Sequence, residues 1–252
     1  MGNGTVLQPL SPTEVKGFML AVGEQTPGWI LESFPEFVRL CLRDKSVLGK
    51  IMGEALSKYV AQMPHDQALA LWQRVYWEIC GIEPRLHDIR LPDDPGGFGW
   101  PIVATPEVPL NRFWQGLKAK FPCQSVYGDD LEAALDWERQ QRSYRDGAYC
   151  VRVHPNVEAD EELKNLSAND LEERGGQYIT EDERVRLEGF YWIISSGQHL
   201  DRVNITLCVG SRSSDGDVPR VRWRAGQLFV LWSRPGGADG ALRARQVVPP
   251  AA

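Results

Sequence analysis

The chain lacks the short motifs that hold metals, cofactors or phosphates. No CxxC, HxH or HExxH spacing occurs, and the four histidines (His65, His87, His154 and His199) are scattered. The stretches PGGFGW and PGGADG have glycines without the GxxxxGK pattern of a phosphate loop, and no GxSxG turn is present. We therefore expect no metal ion and no cofactor.

Long apolar runs are also missing. No stretch reaches the roughly 18 residues that a membrane span needs, and the start MGNGTVLQPLSPTE has neither the charged nor the apolar region of a signal peptide. The five cysteines are odd in number and widely spaced, which is typical of reduced thiols rather than a disulfide framework. These absences favour a cytoplasmic protein that does not bind membranes.

Charge is spread unevenly along the chain. The net charge of −6 argues against a protein that coats nucleic acid with its whole surface. From Asp201 onward, however, there are eight arginines and four aspartates, with no lysine or glutamate. The C-terminal end is therefore a locally basic part of an acidic chain.

Proline and glycine divide the chain into three regions. Capping boxes and apolar residues at helical spacing predict a helical bundle over residues 1–82. Six prolines exclude a helix or a central strand from residues 83–110, which form either a linker or a long ordered loop. Residues 111–252 contain both helical and strand patterns. The chain as a whole is predicted to be α+β.

The third region changes from helices to strands. Helices are predicted at about 111–120 and 129–143, followed by a strand at 148–154. Capping boxes at Ser167 and Thr180 predict two more helices, and four alternating segments then predict an antiparallel sheet. From about residue 147 the order is strand, helix, helix and four strands. C-type-lectin-like domains have this order, and their first and last strands pair, but such an analogy implies no function.

The same region also resembles a known group of proteins. The motif TLCVGSRSSDGDVP at 206–219 and the motif LRAR at 242–245 resemble a C-terminal domain of hypothetical proteins from candidate-phylum bacteria. The resemblance covers roughly 146–248 and departs from the pattern at Ile205, where tryptophan is expected. It implies a recurring bacterial module, and it implies no activity because none is associated with that domain.

The stretch GSRSSDGDVPRVRWRAG at 210–226 contains the main candidates for ligand binding. Its acidic loop has too few regularly spaced oxygen ligands for calcium and suits a hairpin turn. In the strand that follows, alternation places three arginines on one face and Val221 and Trp223 on the core face. That basic face binds a polyanion, pairs with the acidic N-terminal half, or is simply solvated. The candidate ligand-binding residues are Arg212, Asp215, Asp217, Arg220, Arg222, Trp223 and Arg224.

A catalytic alternative rests on Cys208, His199 and Asp201. These residue types form nucleophile, base and orienting acid in cysteine-dependent enzymes. Alternation, however, places Cys208 on the same side of its strand as Asn204 and Thr206, opposite the expected core face, and His199 precedes the strand. A structural thiol is the simpler interpretation.

These observations favour a non-catalytic binding protein that uses the C-terminal module. The loops at 210–219 and 233–241 would form its contact surface, with a protein partner as the expected ligand. One alternative is a nucleic-acid-binding accessory protein that uses the arginine face. The other is a hydrolase or transferase with a centre at Cys208 and His199.

Overall fold

The structure is a computed structural model that describes residues 63–250. It confirms the α+β class, and the helices predicted before residue 63 lie outside the described residues. None of the helices in this part of the chain is long and apolar enough to cross a membrane. The helices are α1 His65–Cys80, α2 Leu110–Lys118, α3 Leu131–Ala134, α4 Ala168–Glu173 and α5 Glu181–Ile194. The strands are β1 Trp100–Ala104, β2 Cys123–Ser125, β3 Tyr149–Val153, β4 Ile205–Leu207, β5 Val218–Arg224, β6 Gln227–Ser233, β7 Leu242–Arg243 and β8 Val247–Val248.

The strands form two sheets. The smaller sheet has the order β1-β3-β8, and both of its pairs are antiparallel. The larger sheet has the order β2-β6-β5-β4-β7; its three central strands are antiparallel, whereas β2 and β7 join at the edges as parallel strands. The predicted antiparallel sheet is therefore mixed at its edges. The β3–β8 pair joins the first and last strands of the region after residue 147.

The proline-rich segment forms an ordered loop that contains an edge strand. Pro101 is tolerated in β1 because β1 has a neighbour on one side only. Helix α1 packs against this strand, and Trp72 Nε1 donates to the carbonyl oxygen of Pro101 at 2.9 Å. Tyr76 Oη likewise donates to the carbonyl oxygen of Val103 at 2.6 Å. Helix α1 and the proline-rich segment thus share a core with the chain after residue 110.

The helix predicted over 129–143 is interrupted. Only α3 is α-helical, and short 3-10 turns follow at Trp137–Arg139 and Tyr144–Asp146. Leu135 is extended and bridges to Ser213, and the side chain of Asp136 accepts from the backbone N–H of Glu138. Pairing with a distant part of the chain therefore replaces the helix that local sequence favours.

Helix α5 lies at the centre of the larger core. The ring of Phe190 stacks on Trp72, with the two centroids 5.2 Å apart. A Cβ on Gly189 would meet the ring of Phe113 at 2.7 Å, so glycine lets α5 approach α2 closely. Strand β4 is buried on both faces, because Thr206 is 0% exposed and Ile205 and Leu207 on the predicted core side are 6% and 1% exposed. Cys208, which follows the strand, is also 0% exposed. The expectation of one core face for this strand is wrong.

Buried ion pairs connect α5 to the C-terminal loops. Arg184 contacts Glu188 at 2.9 Å and Asp201 at 2.8 Å. Asp201 also accepts from Arg245 at 2.7 Å, and Arg245 in turn donates to the carbonyl oxygens of Asn156 and Val157. The side chains of Arg184, Glu188, Asp201 and Arg245 are all at most 1% exposed. Asp201 thus bridges two buried guanidinium groups, and Glu188 supplies the second carboxylate.

We expect Asp201→Asn to destabilise the fold. Burial alone would raise the pKa of Asp201, but Arg245 and Arg184 lower it, so this carboxylate stabilises the fold above its unfolded pKa and that contribution is lost on acidification. Removing one partner of a buried pair costs about 3 to 5 kcal/mol. Urea denaturation should show this loss at neutral pH. The exposed Asp215→Asn is the control and should change the free energy of unfolding by less than about 0.5 kcal/mol; equal losses in the two variants would contradict this account.

Candidate functional site

The arginines of β5 form one row on the larger sheet, which we call the arginine face. Alternation along β5 puts Arg220, Arg222 and Arg224 on the same side. Arg220 and Arg222 are half-buried, and Arg224 is exposed. The neighbouring strand β6 places Leu231 opposite Arg220 and Phe229 opposite Arg222, and both apolar side chains are half-buried. The face therefore combines cations with partly accessible apolar groups.

The arginines of this face lack ion-pair partners in the described part of the chain. Within residues 63–250 no carboxylate forms an ion pair with any of the three arginines, and Nε of Arg220 and of Arg222 has no hydrogen-bond partner. Partial burial, followed by the charges of Arg224 and Arg220, lowers the pKa of Arg222. The negative charges of Asp239 and Glu158 act against this shift. The three cations thus repel one another.

Two other predicted ligand-binding residues have structural roles. Arg212 is buried, donates to the carbonyl oxygens of Val209 and Ser211, and pairs with Glu172. The ring of Trp223 is half-buried and stacks on the imidazole of His199, with centroids 3.3 Å apart and planes 5° apart. Both side chains therefore have partners within the fold.

The acidic loop forms a turn. Gly216 has a φ of 86°, and the backbone carbonyl of Asp217 accepts from the N–H of Ser213 at 2.8 Å. Ser214 N donates to the carbonyl oxygen of Ala134, so the loop also packs on α3. Neither Asp215 nor Asp217 belongs to a group of three or more possible metal ligands among the residues described. The hairpin interpretation fits this geometry.

No hydrogen bond joins the candidate catalytic residues to one another within residues 63–250. Cys208 is 0% exposed, and its Sγ makes no hydrogen bond in the described part of the chain. Burial, then the charge of Glu181, raises the pKa of this thiol well above its usual range, which disfavours a nucleophilic thiolate. His199 contacts Glu188 instead, at 2.9 Å from Nδ1, and the carboxylate of Asp201 accepts from Arg184 and Arg245. This arrangement argues against a Cys208 centre.

A pocket beside His199 is a feature that the sequence did not reveal. Its volume is about 460 Å³, and its walls include Glu158, Tyr191, Gln198, His199 and Arg202. Glu188 fixes the imidazole through Nδ1, and no described residue hydrogen-bonds to Nε2. The sequence shows His199 but not this partner, because the two residues meet only when the chain turns back after α5. The pocket can hold a small polar group next to the imidazole.

Glu181 is a buried acid without a partner. Both carboxylate oxygens lack a hydrogen bond within residues 63–250, and the residue is 0% exposed. Burial, and to a smaller extent the charge of Asp182, raises its pKa to about 8. The neighbouring Glu183 differs, because it closes a capping box with Thr180 and accepts from Arg142. The sequence predicted the capping box and the helix start but not the burial of these acids.

Comparison with known proteins identifies no relative. No protein-family model matches the chain, and neither do the curated proteins or the solved structures.

We expect Glu181→Gln to stabilise the protein in alkaline solution. The folded pKa of about 8 lies above the ordinary value of 4.5, so the fold binds the proton more tightly and loses stability as the pH rises through this interval. Each unit of that difference corresponds to about 1.4 kcal/mol. Unfolding measured from pH 5 to 9 should show a growing advantage of the variant. Glu183→Gln is the matched control and should destabilise instead; if the wild type and Glu181→Gln have the same pH dependence, the assignment is wrong.

Proposed function

We propose that the protein is a non-catalytic binding protein whose C-terminal module takes an anionic ligand on the arginine face. The observation that carries this proposal is the row of three arginines without an ion-pair partner in residues 63–250. Such a row costs free energy in the isolated fold, since like charges on one strand face repel. A ligand with negative charges would remove that cost.

The spacing of the row favours a ligand with regularly repeated charges. Alternate residues of a strand lie about 6.7 Å apart, so the three cations extend over about 13 Å. Phe229 lies opposite Arg222 and offers part of its ring to a flat group. Cations next to an aromatic ring are typical of surfaces that bind single-stranded nucleic acid through phosphates and base stacking. Single-stranded nucleic acid is therefore the ligand class that we propose.

The loop after β6 would extend the binding surface. We also infer a C-type-lectin-like topology from the pairing of β3 with β8, and this likeness of strand order implies no function. The loop at 233–241 follows β6, and Arg234 in this loop is exposed as well. The loop and the arginine face would form one continuous contact surface. An acidic protein partner is the competing ligand, and the test below separates the two.

We expect a variant with Arg220, Arg222 and Arg224 all changed to Gln to lose oligonucleotide binding. Fluorescence anisotropy with a single-stranded oligonucleotide should show affinity at least about tenfold lower than the wild type at low salt. The slope of log affinity against log salt should shrink by about 2, since each phosphate contact to a single strand contributes about 0.7.

A matched variant tests whether position matters. Arg85, Arg90 and Arg174 are exposed outside the arginine face, and changing them to Gln removes the same charge. This control should keep the affinity and slope of the wild type. If both triple variants weaken binding equally, the attraction is general and the arginine face has no special role. If the wild-type protein does not bind the oligonucleotide, the proposed ligand class is wrong.

A further inference from the structure

A separate cluster lies where β3 ends and the chain turns toward α4. The cluster consists of His154, Asp160 and Glu162, and one ligand atom from each lies within 4.8 Å of the others. His154 Nδ1 and Asp160 Oδ1 are 3.3 Å apart. We call this group the His154 cluster. The arginine face plays no part in its geometry.

Two atoms of this cluster are buried and lack hydrogen bonds. Asp160 is 1% exposed, and its Oδ2 accepts from the backbone N–H of Gln246 at 2.7 Å. Its Oδ1 has no hydrogen-bond partner in the described residues, and neither has His154 Nδ1, because their mutual contact is too poorly aligned to be a hydrogen bond. A buried carboxylate oxygen and an imidazole nitrogen thus lie next to each other, and neither forms a hydrogen bond with a described residue. Buried polar atoms of this kind call for an explanation, and an ion is one.

The surrounding structure holds both atoms in position. The backbone N–H of Asp160 donates to the carbonyl oxygen of Ala244, and Gln246 fixes the carboxylate. The imidazole of His154 stacks on Phe98, with centroids 3.9 Å apart. Asp94 Oδ1 accepts from the N–H of Phe98 at 2.9 Å and so fixes the loop that carries this ring. Such outer contacts orient the ligands of a metal and reduce the cost of ordering them.

We propose that the His154 cluster binds a divalent transition-metal ion of the zinc class. Two ligands about 2.05 Å from a tetrahedral ion are about 3.35 Å apart, which agrees with the 3.3 Å between His154 Nδ1 and Asp160 Oδ1. One imidazole and two carboxylates suit zinc better than magnesium or calcium, which take oxygen ligands. Glu162 is exposed and makes no hydrogen bond in the described residues, so it is free to complete the set. Three protein ligands leave a fourth position for water or a ligand.

The neighbouring acid does not compete for the ion. Glu161 precedes Glu162 but pairs with Arg243 at 2.5 Å and with Lys164 at 3.2 Å. These two cations satisfy its carboxylate, and they lower its pKa. The two adjacent glutamates therefore differ in role: one is engaged in ion pairs, and the other is available. This difference supplies a matched pair of variants.

Titration of the full, chelator-treated chain with zinc chloride tests the proposal by calorimetry. The wild type should bind about one equivalent, and Glu162→Gln should bind at least about tenfold more weakly. His154→Ala should lose the site. Glu161→Gln and His87→Ala are controls that remove the same groups elsewhere and should match the wild type.

The outcomes are distinguishable without any activity assay. Glu162 is exposed and without hydrogen bonds, so its substitution leaves the fold intact, and circular dichroism checks this. Zinc bound by cysteines instead would survive both Glu162→Gln and His154→Ala, and that result would overturn the proposal. Equal weakening by Glu161→Gln and Glu162→Gln, or no stoichiometric binding by the wild type, would do the same.

Discussion

The rest of the module depends on one interaction, in which the carboxylate of Asp201 bridges two buried arginines. Its carboxylate joins Arg184 on α5 to Arg245 near the C-terminal strands, and its backbone carbonyl accepts from the N–H of Trp223. To do this, Asp201 adopts a left-handed conformation with a φ of 49°, which carries a conformational cost for a residue other than glycine. Because Trp223 lies on β5, the same residue fixes the strand that carries the arginine face. The buried charge pairs and the exposed candidate surface are thus mechanically connected.

Much of the fold was predictable wherever local chemistry decides it. The capping boxes at Ser167 and Thr180 are both present, and the sequence also predicted strands at β3, β5 and β6. Elements that depend on distant partners were not predictable from local sequence. The break after α3 follows a bridge from Leu135 to Ser213, and the edge strand β2 is a short segment that exists because β6 pairs with it. Local propensity carries no information about such partners.

The two candidate sites also differ in how far the local sequence predicts them. The arginine face follows from the period of a strand, so the sequence was sufficient to place Arg220, Arg222 and Arg224 together. The His154 cluster has no recognised spacing, because five residues separate His154 from Asp160. Its geometry arises when the chain after β3 turns and Asp160 binds the backbone of Gln246. A search for local motifs cannot find ligands that tertiary structure assembles.

Ion pairing distinguishes the arginine face from the buried arginines of this fold. Five arginines are at most 5% exposed, and each of them has a carboxylate partner: Arg184, Arg186, Arg212, Arg243 and Arg245. Burying a guanidinium without a counter-charge is costly, so these pairs are a requirement of folding. The row on β5 has no such pairs in the described chain, although Arg220 and Arg222 are partly desolvated. The fold thus pairs its buried arginines with carboxylates but leaves an aligned, partly buried row unpaired. This row costs free energy, and folding does not require it. Binding an anionic ligand is the process that would offset that cost.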